Sequence, residues 1–552
     1  MTDHSRHPDL IWLLIILIVA ASLRLYGIQF GKPDLLHPDE IKLVIQAGRL
    51  LETKFSDKEA FFGIQVYPPF FTYMLAGVMG LYIVISLLTG HFAALAAVRM
   101  AYETDPFQFF LVSRLLVAMI GIFSVLVIYT IARKLYSREI ALSTALLTTV
   151  NFVLVQNSHY GTVDIPAMFW GMICFYFAVR MLQEGKTSDY IGAAVTFAVA
   201  VAVKFNMIFL AFPIAWAHFS RFRFSEWLKQ IFNRQLILLL FTSLVAFCLA
   251  CPLIWLDFRE TWGGIVGTHQ FERVGKIGSG GGLLSYWTGD QSPGFGVFYP
   301  NSLPATFGVI LTLLGAGGLL LLLLRRRKSD LLLLSYIIPM YLLFERMSIK
   351  ANRHIIPIMP FLLLAAMILL FALSSRLKNK SISSIFLLSF LLGIALSNGY
   401  RVFRYFDALK QTDPRTTARL WVQTNIPPNS VICVEGFPPL LDRQIGTVAQ
   451  RGFQIRPMEL TSKSLTIVPD FFDFLKQEEK LYYIADGYTR QIFNWKHSRQ
   501  RYGEIVADRA AFFTWLEKNG CVIQKFNSNH PLIQPDIVIY ELRSNSWLNT
   551  EN

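Results

Sequence analysis

The sequence predicts a polytopic α-helical membrane protein that ends in a separate α/β module. Hydrophobic residues make up 54% of the 552-residue chain, and the mean hydropathy is +0.45. Soluble globular domains are rarely so apolar. Apolar runs long enough to cross a bilayer recur along most of the chain. Beyond residue 400 the composition turns polar, and short β-type segments replace these runs.

The apolar runs set the predicted number of membrane crossings. A span needs roughly 17 to 25 residues to cross about 30 Å of hydrocarbon. Candidate runs lie at 10–30, 66–89, 109–132, 139–156, 164–182, 190–219, 236–256, 304–324, 331–346, 354–374 and 382–399. The first has no small-residue cleavage site after it and is read as an uncleaved span. The run 190–219 is too long for one span and carries Lys204 and Asn206 at its middle, which predicts two spans joined by an outer turn.

Basic loops set the sides of the membrane. The chain has four short loops rich in Lys and Arg, a composition typical of cytoplasmic loops. The net charge of +14 is therefore attributed to membrane topology and not to nucleic-acid binding. These loops are 133–138, 220–235, 325–330 and 375–381. The run 109–132 must then start outside, and we interpret the run 66–89, which opens near a Pro pair, as an interfacial or re-entrant helix. About eleven transmembrane helices follow, in the plasma membrane, with the N-terminus inside.

This topology predicts two domains. They are a transmembrane domain, 1–400, with outer loops at 31–108 and 257–303, and an extracytoplasmic α/β domain, 401–552. In the second, "TDPRTTARLWVQ" predicts a capped helix with Pro in its first turn. The segments "NSVICVEG", "KLYYIAD" and "DIVIYEL" predict strands. Cys433 and Cys521 fall in this domain, where an oxidising compartment would allow them to pair.

Unusual polar residues collect on the predicted outer face, from segments far apart in the sequence. They are His37, Asp39, Glu40, Tyr67, Arg114, His159, Tyr160, Asp164, Lys204, Lys350, Arg353 and His354. Charged side chains at a membrane boundary are costly unless they are paired or wetted. Their convergence on one face predicts a functional site.

Each of these residues also has a structural reading. "HPDE" is a good helix start, with Asp39 in the first turn, where a negative charge is favourable. Asp164 opens a span, and a capping role is the alternative there too. Arg353 would serve equally as a snorkelling interfacial residue. Lys204 is harder to explain without a partner, because a charge inside an apolar run costs about 2–3 kcal/mol.

Carboxylates and fixed cations at a membrane face suit a lipid-linked anionic substrate. Arg and Lys would hold the phosphate of a polyprenyl phosphate, Arg through bidentate hydrogen bonds. A carboxylate near an incoming hydroxyl or amine would act as general base, and nearby negative charge stabilises the oxocarbenium-like transition state of glycosyl transfer. The Gly-rich stretch 275–282 lacks P-loop spacing, so no nucleotide site is predicted.

The ordered motifs of the chain resemble those of the GT-C fold glycosyltransferases that use polyprenyl-phosphate-linked sugars. These motifs are "HPDE", "YPPFFTYMLAG", "RLLVAMIG", "NSHYGTVDIPAMFW", "AVKFNMIFL" and "NRHIIPIMPFLLL". Over roughly residues 8–375 the chain is similar to the protein O-mannosyltransferases and the lipid A aminoarabinose transferase. The resemblance implies a GT-C fold, a polyprenyl-phosphate sugar donor, and an acceptor that is a protein, a lipid or a glycan.

The resemblance also implies catalytic roles. By match, the acidic pair Asp39 and Glu40 carries the general base, with Asp39 favoured. Asp164 matches a second acidic position, which positions the acceptor or an active-site residue. No metal or other cofactor is predicted, with a divalent cation at the acids as the alternative.

The cations are assigned to substrate in the same way. Arg114 matches the Arg that opens the span after the first outer loop, and Lys204 and Arg353 match basic positions for the lipid phosphate. Aminoarabinose-type relatives carry a Lys ahead of the Pro pair where this chain has Tyr67, so phosphate binding must depend on other cations. The remaining predicted substrate-binding residues are His37, Tyr67, His159, Tyr160 and His354.

Two other function classes compete with a transferase. A transporter or flippase of a lipid-linked saccharide would show repeated halves and charges near the membrane midplane, whereas the predicted site lies at one face and the sequence has no internal repeat. A scaffold that binds a partner through 401–552 is the third class, and no feature of that segment singles out a binding surface.

Overall fold

The computed structural model describes most of the membrane part and the core of the C-terminal module. The described residues are 7–32, 34, 37–52, 67–252, 303–304, 307–346, 352–435, 452–458, 480–487, 489–490, 505–529 and 534–543. Lys350 and the predicted loop 257–303 up to residue 302, with its Gly-rich stretch, lie outside them.

Helices account for most of the described chain up to residue 425. They are α1 (His7–Leu25), α2 (Pro38–Glu52), α3 (Phe70–Leu88), α4 (Leu95–Thr104), α5 (Phe107–Leu135), α6 (Arg138–Val150), α7 (Phe152–Ser158), α8 (Asp164–Gln183), α9 (Thr187–Val203), α10 (Ala211–Phe219), α11 (Trp227–Gln230), α12 (Arg234–Ala250), α13 (Val309–Arg325), α14 (Lys328–Arg346), α15 (Met359–Ser374), α16 (Lys380–Lys410) and α17 (Pro414–Asn425). Three 3₁₀ turns, Phe205–Leu210, Phe224–Glu226 and Asn352–Ile358, precede α10, α11 and α15.

Five of the described helices are long and apolar enough to cross a membrane, or up to seven if each of two bent pairs forms one span. Shorter apolar helices lie at 10–25, 187–203, 205–219 and 309–325. Many Leu, Ile and Phe side chains on their outward faces are exposed, as expected of surfaces that face lipid. The prediction of a multi-pass membrane protein is confirmed, and the count of about eleven spans stays a prediction.

Two helical segments break near one end of the bundle. The long run 190–219 divides at Lys204, whose backbone is extended between α9 and the following 3₁₀ turn, so the predicted break in the helix is confirmed. Two separate spans joined by an outer turn stay a prediction. The second break was not predicted. It lies at Asn151, whose side chain accepts from the Leu154 amide as the N-cap of α7, and α6 and α7 meet there at 56°. An Asn cap favours a fresh helix start over continuation.

Within the run 66–89, residues Phe70–Leu88 form the single helix α3, which begins directly after Pro68 and Pro69. Its 19 residues and mean hydropathy of 2.0 meet the requirements for a span. An interfacial or re-entrant placement therefore stays a prediction.

The described residues of the C-terminal part form a five-stranded mixed sheet, and the three predicted strands and the capped helix are confirmed. The strands are β1 (Val431–Val434), β2 (Gln454–Pro457), β3 (Lys480–Asp486), β4 (Cys521–Phe526) and β5 (Ile537–Arg543), in the order β2-β1-β3-β5-β4. β2, β1 and β3 are parallel, and β5 is antiparallel to both β3 and β4.

Alternating side chains on the strands build two apolar layers. Residues such as Cys433 and Tyr483 pack on one face against helix α18 (Ile505–Asn519), and residues such as Ile432 and Ile484 pack on the other face against α17. The period of two along a strand places one helix on each face of the sheet. A Cys433–Cys521 disulfide is excluded, because two strands separate β1 from β4, a gap of ~14 Å.

Candidate functional site

Glu40, in the first turn of α2, is buried in a bidentate ion pair. Arg114 Nε and Nη2 donate to its two carboxylate oxygens, each at 2.9 Å, and the Gly161 amide donates to Oε1 at 2.6 Å. The Glu40 and Arg114 side chains are 1% and 0% exposed. A Cβ at position 161 would collide with Ser113, so glycine allows this close approach. Glu40 therefore joins α2, α5 and the segment before α8.

Arg114 also fixes the connection between α1 and α2. Its Nη1 donates to the carbonyl oxygens of Ile28 at 3.1 Å and Phe30 at 2.8 Å, and its guanidinium lies 3.9 Å from the Phe30 ring centroid. With this many internal acceptors and no exposure, the geometry favours a structural role for Arg114 over the predicted substrate contact.

Asp39 follows a different pattern although it is the neighbour of Glu40. Arg353 Nη2, from the 3₁₀ turn before α15, lies 3.3 Å from Asp39 Oδ2, and the side chains are 40% and 15% exposed. Among the three predicted catalytic carboxylates, Asp39 is the most exposed, since Glu40 and Asp164 are 1% and 4% exposed. An acceptor group can thus approach Asp39 more readily than the other two.

Asp164 and Lys204 form the third ion pair. Lys204 Nζ donates to Asp164 Oδ1 at 2.7 Å, with side chains 12% and 4% exposed. Asp164 lies in the first turn of α8, and Lys204 lies at the break after α9. The cation inside an apolar run is therefore stabilised by a carboxylate from the neighbouring helix.

His37 lies beside this set of charges. Its ring centroid is 4.5 Å from that of Tyr160. Asp39, Glu40, Asp164 and Arg353 all lie near enough to act on the charge of its imidazole. Burial lowers the pKa of His37, and the carboxylates Glu40 and Asp39 oppose this effect. The carboxylates predicted from two distant motifs thus do converge.

The other predicted residues surround this centre. His159 is fully buried, with Nδ1 and Nε2 each 2.8 Å from a backbone carbonyl oxygen, of Val155 and Tyr26 respectively, so it joins α7 to the end of α1. His354 is buried in the 3₁₀ turn that carries Arg353 and lies near Asp164. Tyr67 is half-buried against the helical core just before α3.

Several polar residues near this end of the bundle were missed by sequence reasoning. Glu345 is buried at the end of α14 and accepts from Tyr341 Oη at 2.8 Å; a carboxylate at a span end was a usable signal. Arg24 is buried in α1 and donates to the carbonyl oxygens of Thr148 and Thr149, both at 3.3 Å. These carbonyls end α6, where a cation is favourable.

No group of three or more His, Cys, Asp or Glu side chains among the described residues is placed to hold a metal ion. The ion pairs instead satisfy the carboxylates with Arg and Lys. The expectation of a site without a metal, with a divalent cation as the alternative, stays a prediction.

Comparison with known protein families gives a match within the membrane part. Residues 107–255 match the family described as dolichyl-phosphate-mannose-protein mannosyltransferase. The matched segment includes Arg114, Asp164 and Lys204, and it excludes Asp39 and Arg353. No curated protein sequence matches this chain.

The fold resembles that of solved structures at low sequence identity. The oligosaccharyltransferase of Archaeoglobus fulgidus, tethered with an acceptor peptide containing the NVT sequon, has a TM-score of 0.51 and 15% identity, over 91% of this chain and 72% of that chain. ArnT from Cupriavidus metallidurans, bound to undecaprenyl phosphate, has a TM-score of 0.49 and 12% identity, over 96% of this chain and 98% of that chain. The family match within the membrane part and the shared fold together confirm the resemblance to the GT-C fold glycosyltransferases.

Proposed function

We propose that the protein is a membrane glycosyltransferase that moves a sugar from a polyprenyl-phosphate-linked donor to an acceptor on the extracytoplasmic side. The observation that carries this proposal is the meeting of the pairs Asp39–Arg353 and Asp164–Lys204 at one end of the helical bundle. The family description of the matched segment names a dolichyl-phosphate sugar donor, which agrees with cations placed beside carboxylates.

In the proposed reaction, Asp39 takes the proton of the acceptor hydroxyl or amine. It is the most exposed of the three acids, and its carboxylate pairs with the half-exposed Arg353. The oxygens of Glu40 are occupied by Arg114 and Gly161, so Glu40 is not available as the base. It instead anchors the first turn of α2 and thereby positions its neighbour Asp39. The general base supplies about 10²- to 10⁴-fold in rate in such reactions.

Arg353 and Lys204 are the proposed contacts for the lipid phosphate. Arg353 is the more exposed cation and has a fork that suits phosphate oxygens. As the sugar is transferred, the bond between its anomeric carbon and the phosphate oxygen breaks, and the charge that develops on the phosphate is stabilised by these cations.

The test is transfer from polyprenyl-phosphate sugars to candidate acceptors by the purified full-length protein. We expect Asp39→Asn to lower kcat by about 10²- to 10⁴-fold, and Arg353→Gln to raise the donor KM by about tenfold or more. Glu103→Gln is the matched control, since Glu103 is 62% exposed and pairs with Arg99 one turn away on α4. Lipid-sugar flipping without transfer from any donor of a broad panel would favour the flippase class and contradict the proposal.

A further inference from the structure

The C-terminal module contacts the membrane part through a buried ion pair. Arg419 Nε, on α17, lies 2.8 Å from Asp34 Oδ1, and the two side chains are only 10% and 9% exposed. Asp34 belongs to the connection between α1 and α2, a few residues before His37 and Asp39. The pair therefore links the sheet-bearing module directly to the segment that leads into the candidate catalytic turn.

Further contacts continue this junction. Gln534 Nε2 donates to the Ala408 carbonyl oxygen at 3.0 Å in a buried hydrogen bond. The rings of Tyr405 and Phe406, at the end of α16, lie 5.3 Å and 6.1 Å from the His159 ring. The end of α16 thus packs on the segment before α8, while α17 holds the segment before α2.

The α1–α2 connection is consequently held at two points of different origin. Arg114, from α5 inside the bundle, holds the carbonyls of Ile28 and Phe30. Arg419, from the C-terminal module, holds Asp34. A buried ion pair adds little net stability compared with apolar packing, but breaking it leaves an unpaired buried charge, so such pairs fix one arrangement strongly.

We infer that Arg419 is a positioning residue, and that its ion pair with Asp34 docks the C-terminal module so that Asp39 is held in its working position. The inference rests on the proposed function for its catalytic part. The module thereby acts as a structural part of the active site through the contact of α17 with Asp34. A mutation far from the chemistry that displaces a catalytic group by about 1 Å can lower a rate by about 100-fold.

The first arm of the test measures amide hydrogen exchange in the full-length protein, with no donor or acceptor present. We expect Arg419→Gln and Asp34→Asn each to speed exchange over residues 26–49, and the double variant to show less than the sum of the two effects, because both changes break one interaction. Arg490→Gln is the control within the module, since Arg490 pairs with Glu517. Unchanged exchange over 26–49 in both single variants overturns the docking role.

The second arm measures transfer kinetics. We expect each single variant to lower kcat by about tenfold to 100-fold with a small change in donor KM, and Arg490→Gln to leave both constants unchanged. Asp34→Asn lies outside the module and tests the same contact if Arg419→Gln disrupts folding around β1 and β3. Faster exchange with unchanged kcat overturns the positioning role. Absence of transfer by the wild type counts against the proposed function alone, because the exchange arm is independent of activity.

Discussion

Glu40→Gln removes the negative charge at the centre of the most buried ion pair of the site. Arg114 donates to both oxygens of Glu40 at 2.9 Å, and Gly161 donates at 2.6 Å. Removing one partner of a buried pair costs about 3–5 kcal/mol, since the other charge is left uncompensated. Arg114 keeps its carbonyl acceptors on Ile28 and Phe30, so we expect the lower end, about 3 kcal/mol.

A local cost of about 3 kcal/mol corresponds to roughly a 100-fold change in an opening equilibrium. We expect amide exchange in the first turns of α2 and at Gly161 to accelerate by about that factor, measured by mass spectrometry on the full-length protein. Glu103→Gln is the control, because its exposed pair with Arg99 contributes less than about 1 kcal/mol.

Wild-type exchange rates in Glu40→Gln would refute this reasoning. The double variant Glu40→Met/Arg114→Met supplies a second check. Two apolar side chains of similar size leave no buried charge, so exchange should be slower in the double variant than in Glu40→Gln. A double variant that exchanges faster than Glu40→Gln would mean that Arg114 acts mainly through its carbonyl contacts.

Three further predictions concern the Asp164–Lys204 ion pair, a glycine of the helical bundle and a buried glutamate of the C-terminal module. Lys204→Gln leaves the Asp164 carboxylate buried without its cation, so it should lower the midpoint temperature of thermal unfolding. The double variant Lys204→Gln/Asp164→Asn should recover part of that loss. Equal midpoint temperatures for the wild type and Lys204→Gln would contradict this prediction. Gly121→Ala should destabilise the protein by about 1–3 kcal/mol in thermal unfolding, because the added Cβ would lie 3.1 Å from Arg24 Nε and close to Ser158. Gly77→Ala is the control, since its Cβ would meet nothing within 4 Å, and it should be neutral or stabilising. A neutral Gly121→Ala would show that the neighbouring side chains move aside freely. Burial, and next the charge of Asp486, raise the pKa of Glu435 well above its ordinary value of 4.5. The folded module therefore holds the Glu435 proton more tightly than the unfolded chain does. The stability that this proton contributes is complete below about pH 4.5 and declines as the pH rises through the folded pKa. Glu435→Gln should flatten the pH dependence of amide exchange in β1 and β3, and a slope identical to wild type refutes the assignment.

The pattern of apolar residues and the distribution of charged residues predicted much of the fold. The run of aromatic and aliphatic residues in "KLYYIAD" predicted β3, and the N-cap Asp413 before Pro414 predicted α17, because these signals are local. Lys204 predicted its own helix break for the same reason. The break at Asn151 was missed, since a polar residue in an apolar run is a weaker signal than a charge and the cap geometry depends on the turn that follows.

The candidate site was predicted as a set of residues but not as a set of pairs. Positive-inside reasoning placed acids and cations on one face, and the structure brings several of them together. Sequence could not assign Arg114 to Glu40 in preference to a phosphate, because several opposite charges were available to each group. Asp34 and Arg419 were not singled out, because their contact depends on how two distant parts of the chain pack.

The Asp39–Arg353 contact has a consequence for the order of events in the proposed reaction. A phosphate that binds Arg353 must compete with Asp39 for the same guanidinium, 3.3 Å away. Donor binding therefore releases Asp39 for the acceptor, whereas an acceptor that arrives first meets a carboxylate already engaged. We expect initial-rate kinetics of an ordered type, with the donor binding before the acceptor, and random-order kinetics would contradict this coupling. Once Asp39 has given its proton to solvent and the lipid phosphate has left, the contact re-forms, which returns the protein to its resting state.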